Sequence, residues 1–181
     1  MLHANRVVSR DRLIDELWNG APPDTAATAL QVHVSQMRKT LGRDTIVTRN
    51  PGYMLAVEPG AVDVERFQGL VDEARSQEPR EAATTLRRAL DLWRGPLLAD
   101  VDGSVARTER AQLEEQQAEA LELRVDADLA LGSHLELVSE LERLLREEPL
   151  RERRRAQLML ALYRSGGRRR RSRCTARGGG S

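Results

Sequence analysis

Lysine, cysteine, aromatic residues and long apolar runs are all scarce in this sequence. Lys39 is the sole lysine among 29 basic residues, and Cys174 is the sole cysteine. One thiol cannot form an internal disulfide, which fits a reducing, cytoplasmic setting. Aromatics make up 3% of the 181 residues, so a core must be built mainly from Leu, Val and Ala. No apolar run approaches the ~18 residues that a membrane-spanning helix needs. The first twelve residues, MLHANRVVSRDR, contain no apolar signal-peptide region. No membrane partner is expected.

Catalytic signatures are absent as well. There is no GxGxxG after a strand and no GxxxxGK[ST] phosphate loop. His3, His33 and His134 are far apart and lack metal-ligand spacing. The many carboxylates sit at intervals that suit solvated helix faces. The expectation is a protein that is not an enzyme and has no metal or cofactor.

Charge is unevenly distributed along the chain. Residues 1–57 carry seven basic and five acidic side chains, net +2. Residues 58–165 carry 16 basic and 23 acidic ones, net −7. Residues 166–181 hold six arginines and no acid, net +6. A mildly basic head on an acidic body suggests modules with different partners.

The head, residues 1–57, is punctuated clearly. Ser9 can N-cap a short helix that buries Leu13, Ile14, Leu17 and Trp18, with Asp11 in its first turn. The run Asn19-Gly20-Ala21-Pro22-Pro23-Asp24 breaks it. Asp24 or Thr25 caps a second helix that ends at Gly42. Residues 45–49 (TIVTR) and 53–57 (YMLAV) read as two strands around the turn Asn50-Pro51-Gly52. Residues 58–62 form a linker. From 63 to 165 the pattern is helical, in five segments separated by Gly and Pro breaks, which suggests a helical-repeat array. Residues 166–181 show no apolar periodicity and are expected to be disordered.

The second helix of the head, 25–42, is the informative element. Leu30, Val34, Met37 and Leu41 form one apolar stripe. The opposite side carries Thr28, Val32, Ser35, Gln36 and Lys39. A bland reading makes the head a small core-forming α+β unit without a ligand. The sharper reading is a winged helix, with helix 25–42 in a major groove and hairpin 45–57 on the neighbouring backbone or minor groove. The outward side chains favour the sharper one. Gln36 suits bidentate contact with adenine, and Val32 can touch a thymine methyl. Thr25, Thr28, His33 and Ser35 could bond phosphates, while Arg38, Lys39 and Arg43 supply charge. Arg49 precedes the hairpin turn, placed for a minor groove, and Tyr53 is placed either to pack under the wing, the favoured role, or to bond a phosphate.

Two sets of motifs carry a family resemblance. The segment ANRVVSRDRLIDELW…ATALQVHVSQMRKTLG…IVTRNPGYML resembles the C-terminal part of an OmpR/PhoB-type winged helix. The stretches VDVERFQGLVDEA, TTLRRALDLWRGPLLADV and PLRERRRAQLMLALYRSG resemble the bacterial transcriptional activator domain. In this order they resemble the SARP/AfsR-type regulators of secondary metabolism, over residues 2–165. The resemblance implies a mainly α fold: a winged helix-turn-helix with a β-hairpin wing, then a tetratricopeptide-like α-helical array over 63–165. It implies a sequence-specific activator that binds direct-repeat promoter sites in double-stranded DNA and contacts RNA polymerase, with homo-oligomers as a further expected association. The positions that match the family's DNA contacts are Thr28, Val32, His33, Ser35, Gln36, Arg38, Lys39 and Arg49.

The same comparison predicts two departures. The family's N-terminal sheet and most of its first helix precede LHANRVVS, so both are expected to be missing. Leu13, Leu17, Leu30 and Val34 would lose a packing partner, each buried Leu contributing roughly 1.5–3 kcal/mol. The Arg/Gly/Ser run after Ser165 is expected to be the product of a shifted reading frame. The competing functional expectation is a helical interaction module, or a gene fragment, without competent DNA binding.

Overall fold

The computed structural model describes residues 4–95 and 104–175. Among these it holds seven helices and one small antiparallel sheet. The head comprises β1 (Val7–Ser9), α1 (Arg10–Trp18), α2 (Ala26–Leu41), β2 (Ile46–Arg49) and β3 (Gly52–Leu55). The helices that follow are α3 (Asp63–Ala74), α4 (Pro79–Leu90), α5 (Ser104–Ala130), α6 (His134–Glu147) and α7 (Glu152–Thr175). By contacts the chain divides into two compact units, one of residues 1–68 and 92–116, the other of 69–91 and 117–181.

In the first unit, the helix boundaries follow from capping chemistry. Ser9 is extended and its Oγ accepts from the Arg12 amide at 3.2 Å, which satisfies one of the free donors at the start of α1. Asn19 ends α1 in the left-handed conformation. Helix α2 begins after Thr25, whose side chain makes no capping bond, and stops at Gly42 with φ 103°. Leu30 and Val34 on α2 pack with Ile46 and Tyr53 to form the head's core, with Leu13, Ile14 and Leu55 partly buried against it.

The sheet has a strand that the sequence reading did not contain. Strand β1 pairs antiparallel with β3, giving the order β1-β3-β2. Val8 stands opposite Tyr53, and Ser9 opposite Gly52. A Cβ on Gly52 would lie 1.8 Å from the Val8 carbonyl oxygen, so only glycine permits this close approach. Asn5 closes the sheet's other end, its side chain exchanging two hydrogen bonds with the Val57 backbone at 3.0 and 3.1 Å.

The expected apolar stripes are only half covered. Leu30 and Val34 are buried, but Met37 and Leu41 are 43% and 49% exposed. On α1, Leu17 is 57% exposed as well. These residues border an open apolar groove of about 620 Å3 that Leu13, Ile46, Tyr53 and Leu55 also line. Periodicity correctly groups residues on one helix face. It does not say how far a neighbour extends along that face.

In the second unit, Val125, Leu129, Leu137, Leu141 and Ala161 form an aliphatic core between α5, α6 and α7. Buried polar groups are threaded through it, several of them paired with one another. Arg124 donates to Glu140 and Asp128, and Asp128 accepts from Arg87 at 2.5 Å. Burial disfavours the charged Arg124, yet the bonds and charges of Glu140 and Asp128 outweigh this and raise its pKa. Gln157 donates to the Glu122 carbonyl at 2.8 Å and to Asp126 at 2.7 Å.

Helix α7 runs from Glu152 through Gly166 and Gly167 to Thr175. Each glycine costs about 1 kcal/mol in a helix, but arginine is a good helix former and extension of an existing helix is favourable. Residues 176–181 lie outside the described residues.

Candidate nucleic-acid interface

The head presents a helix and a hairpin from a single framework. At about 100° per residue from Leu30, Thr28, Val32, Ser35 and Lys39 fall within ~40° of the direction opposite the core. All four are exposed, Val32 at 50%. Gln36 lies about 60° to one side of that direction, also exposed. This is a polar surface with one lysine, no acid, and one valine near its centre.

The other two candidates on α2 sit on the flanks. His33 is exposed but turned about 60° from Leu30, and it lines the apolar groove together with Gln36 and Met37. Arg38 lies on the opposite flank and is partly buried. Its Nε donates to the Ile46 carbonyl at 2.7 Å, and its Nη2 donates to Thr48 Oγ1 at 2.8 Å. The guanidinium of Arg38 is thus turned onto β2.

The wing is held from two sides. Arg49 closes β2 and is exposed at the hairpin turn. Tyr53 is 8% exposed, as the packing role required. The guanidinium carbons of Arg10 and Arg38 lie 5.7 and 6.0 Å from its ring centre, within cation–π range. The Pro51 carbonyl at the turn accepts from the Arg10 amide at 3.3 Å. Arg10 was not singled out in the sequence, since its two partners are some forty residues away. The short run VVS, which ends on the Ser9 cap, was the available signal for β1.

Among the described residues, no group of three or more His, Cys, Asp or Glu side chains is placed to hold a metal ion. No helix of the described residues is long and apolar enough to cross a membrane.

Comparison with known proteins gives two family matches. Residues 62–171 match the bacterial transcriptional activator domain, and residues 1–55 match the C-terminal domain of transcriptional regulatory proteins. The first match extends past Gly166. The regulatory protein AfsR of Streptomyces coelicolor is 43% identical over 171 residues, covering 92% of this chain and 17% of that protein. The regulatory protein DnrI of Streptomyces peucetius is 40% identical over 181 residues, covering 91% of this chain and 66% of that protein. A solved structure of Mycobacterium tuberculosis EmbR in complex with a low-affinity phosphopeptide superposes with a TM-score of 0.85 at 32% identity. It covers 91% of this chain and 46% of that one. The chain thus spans less than a fifth of its AfsR relative, two thirds of DnrI and about half of EmbR.

Proposed function

We propose, from the premise that this chain belongs to the family of the bacterial transcriptional activator domain and is a regulator of SARP type, that it binds double-stranded DNA sequence-specifically and activates transcription. The observation that carries this reading is the exposed face of α2. Thr28, Val32, Ser35 and Lys39, with Gln36 beside them, offer hydrogen bonds, one apolar contact and one positive charge, with no carboxylate among them. That mixture suits the edge of a major groove. It has no structural task in the head, whose core lies on the other side of the helix.

In this reading α2 enters the major groove, and the wing sets Arg49 against the adjacent backbone or minor groove. Gln36 and Val32 read bases, Lys39 neutralises a phosphate, and Thr28 and Ser35 bond phosphate oxygens. His33, on the groove flank, reaches a phosphate at the edge of the footprint. Direct repeats in a promoter are the DNA partner. Residues 1–57 bind DNA, and residues 63–165 carry the contact with RNA polymerase and self-association. The exposed Met159 and Tyr163 on α7 support an interaction role for that part. The cell compartment is the cytoplasm, and no catalytic step is assigned.

The test is enrichment of duplexes from a random-sequence pool by the full chain, beside a chain ending at Ser165. The arginines after Ser165 bind any polyanion, so the shorter chain isolates sequence-dependent binding. Enrichment of a repeated motif by both supports the reading. Binding indifferent to sequence, or lost on removing the tail, rejects it.

A further inference from the structure

Arg38 is the one candidate on α2 whose side chain is already engaged by the protein. A guanidinium presents its donors in a rigid planar fork. Here one arm of that fork meets a backbone carbonyl, Ile46 O at 2.7 Å, and a second meets a side-chain oxygen two residues along the same strand, Thr48 Oγ1 at 2.8 Å. The Tyr53 ring on the neighbouring strand lies 6.0 Å away. Three residues of the wing are therefore held by one side chain of α2. Arg49, the exposed wing arginine, directly follows Thr48.

We propose that Arg38 is a positioning residue for DNA recognition, a clamp that fixes the wing at a set distance and angle from the reading face of α2. This inference rests on the DNA-binding reading above. Major-groove contacts by Val32 and Gln36 and a wing contact by Arg49 must be made on one duplex at once. A wing free to shift would lose its contact without any change at α2. The clamp removes that freedom before DNA arrives, so its ordering cost is already met in the free protein. Lysine cannot substitute, since a single ammonium on a flexible stem lacks the fork.

The test uses the full chain and a duplex it has enriched from a random-sequence pool. Three variants are compared: Thr48→Val, Arg38→Lys and Lys39→Ala. Thr48→Val and Arg38→Lys preserve every charge. The clamp predicts that each weakens binding about tenfold. Protection of the wing-side minor groove from hydroxyl radicals is lost, protection of the major-groove contacts is retained, and the slope of log K against log salt falls by no more than the ~0.9 of the one wing cation. Lys39→Ala, by contrast, lowers that slope by ~0.9 and leaves the footprint intact. In the free protein, amide exchange at Ile46–Arg49 quickens in the two clamp variants, while far-UV circular dichroism reports the fold intact.

If Thr48→Val is silent and Arg38→Lys retains affinity, Arg38 acts as a phosphate-binding charge and the clamp is wrong. Unchanged amide exchange along β2 overturns it equally. If the unmodified chain enriches no sequence, the DNA reading itself fails and this inference falls with it. That outcome is distinct from a chain that enriches a motif but ignores both substitutions.

Discussion

Arg124 donates to Asp128 at 3.1 Å one turn further along α5, and both side chains are buried. Glu140 on α6 takes the other side of the same guanidinium, and Arg87 on α4 reaches Asp128 from outside. Removing Asp128 leaves a buried cation with half its compensation. Asp128→Ala is expected to lower unfolding stability by about 3 kcal/mol, read from urea melts. Arg143→Ala breaks the exposed Arg143–Glu147 pair instead, and its expected cost is below about 0.5 kcal/mol. Equal effects from the two substitutions would contradict the assigned importance of burial.

Gly52 is the tightest point of the head. Replacement by alanine forces a Cβ against the Val8 carbonyl and the Ser9 Cα, both backbone atoms that cannot swing away. Gly52→Ala is expected to destabilise the head by at least about 1–3 kcal/mol and to unpair β1 from β3. Amide exchange at Val7–Ser9 measures this directly. Retained protection there would show that the strands can separate to admit a methyl group.

Phe67 and Trp93 meet edge to face, with ring centres 5.2 Å apart and planes at 84°. Trp93 lies beyond the end of α4. Phe67 is 2% exposed, so Phe67→Ala should cost about 3–5 kcal/mol. Phe67→Leu, which keeps most of the volume, should cost less than about 1.5 kcal/mol. Tryptophan fluorescence should shift to the red in the alanine variant. An unchanged spectrum would mean that Trp93 gains no shelter from Phe67.

Gln36→Ala should relax base preference by ~1–3 kcal/mol at one position of the recognised motif. Comparison of matched and mismatched duplexes gives the number. A uniform loss across all sequences would reassign Gln36 to the DNA backbone.

The parts of the head that the sequence revealed are those governed by local chemistry. Ser9 as a cap, Asn19-Gly20 as a stop, Gly42 as an end and Asn50-Pro51-Gly52 as a turn each depend on a few neighbouring residues. The buried pair Leu30 and Val34 followed from helical spacing. What escaped notice depends on distant partners. Strand β1 is three residues long and exists because β3 lies beside it. Arg38 is at a position where helical spacing permits either an outward reach or a turn onto β2, and only the folded chain decides. Met37 and Leu41 belong to the apolar stripe, but the groove beside them is open. In α7, the pattern of apolar residues stops at Ser165 while the backbone helix continues, because extending a helix requires no buried face.

Ser9 holds two positions at once. It is the residue paired with Gly52 in the sheet, and it is the cap of α1. One residue later, the Arg10 amide reaches the Pro51 carbonyl at the wing turn. Any force applied to the wing tip is therefore delivered to the first turn of α1 within two residues. A duplex that pulls on Arg49 would strain the start of α1 as well, and α1 should register occupancy of the wing as faithfully as the wing itself.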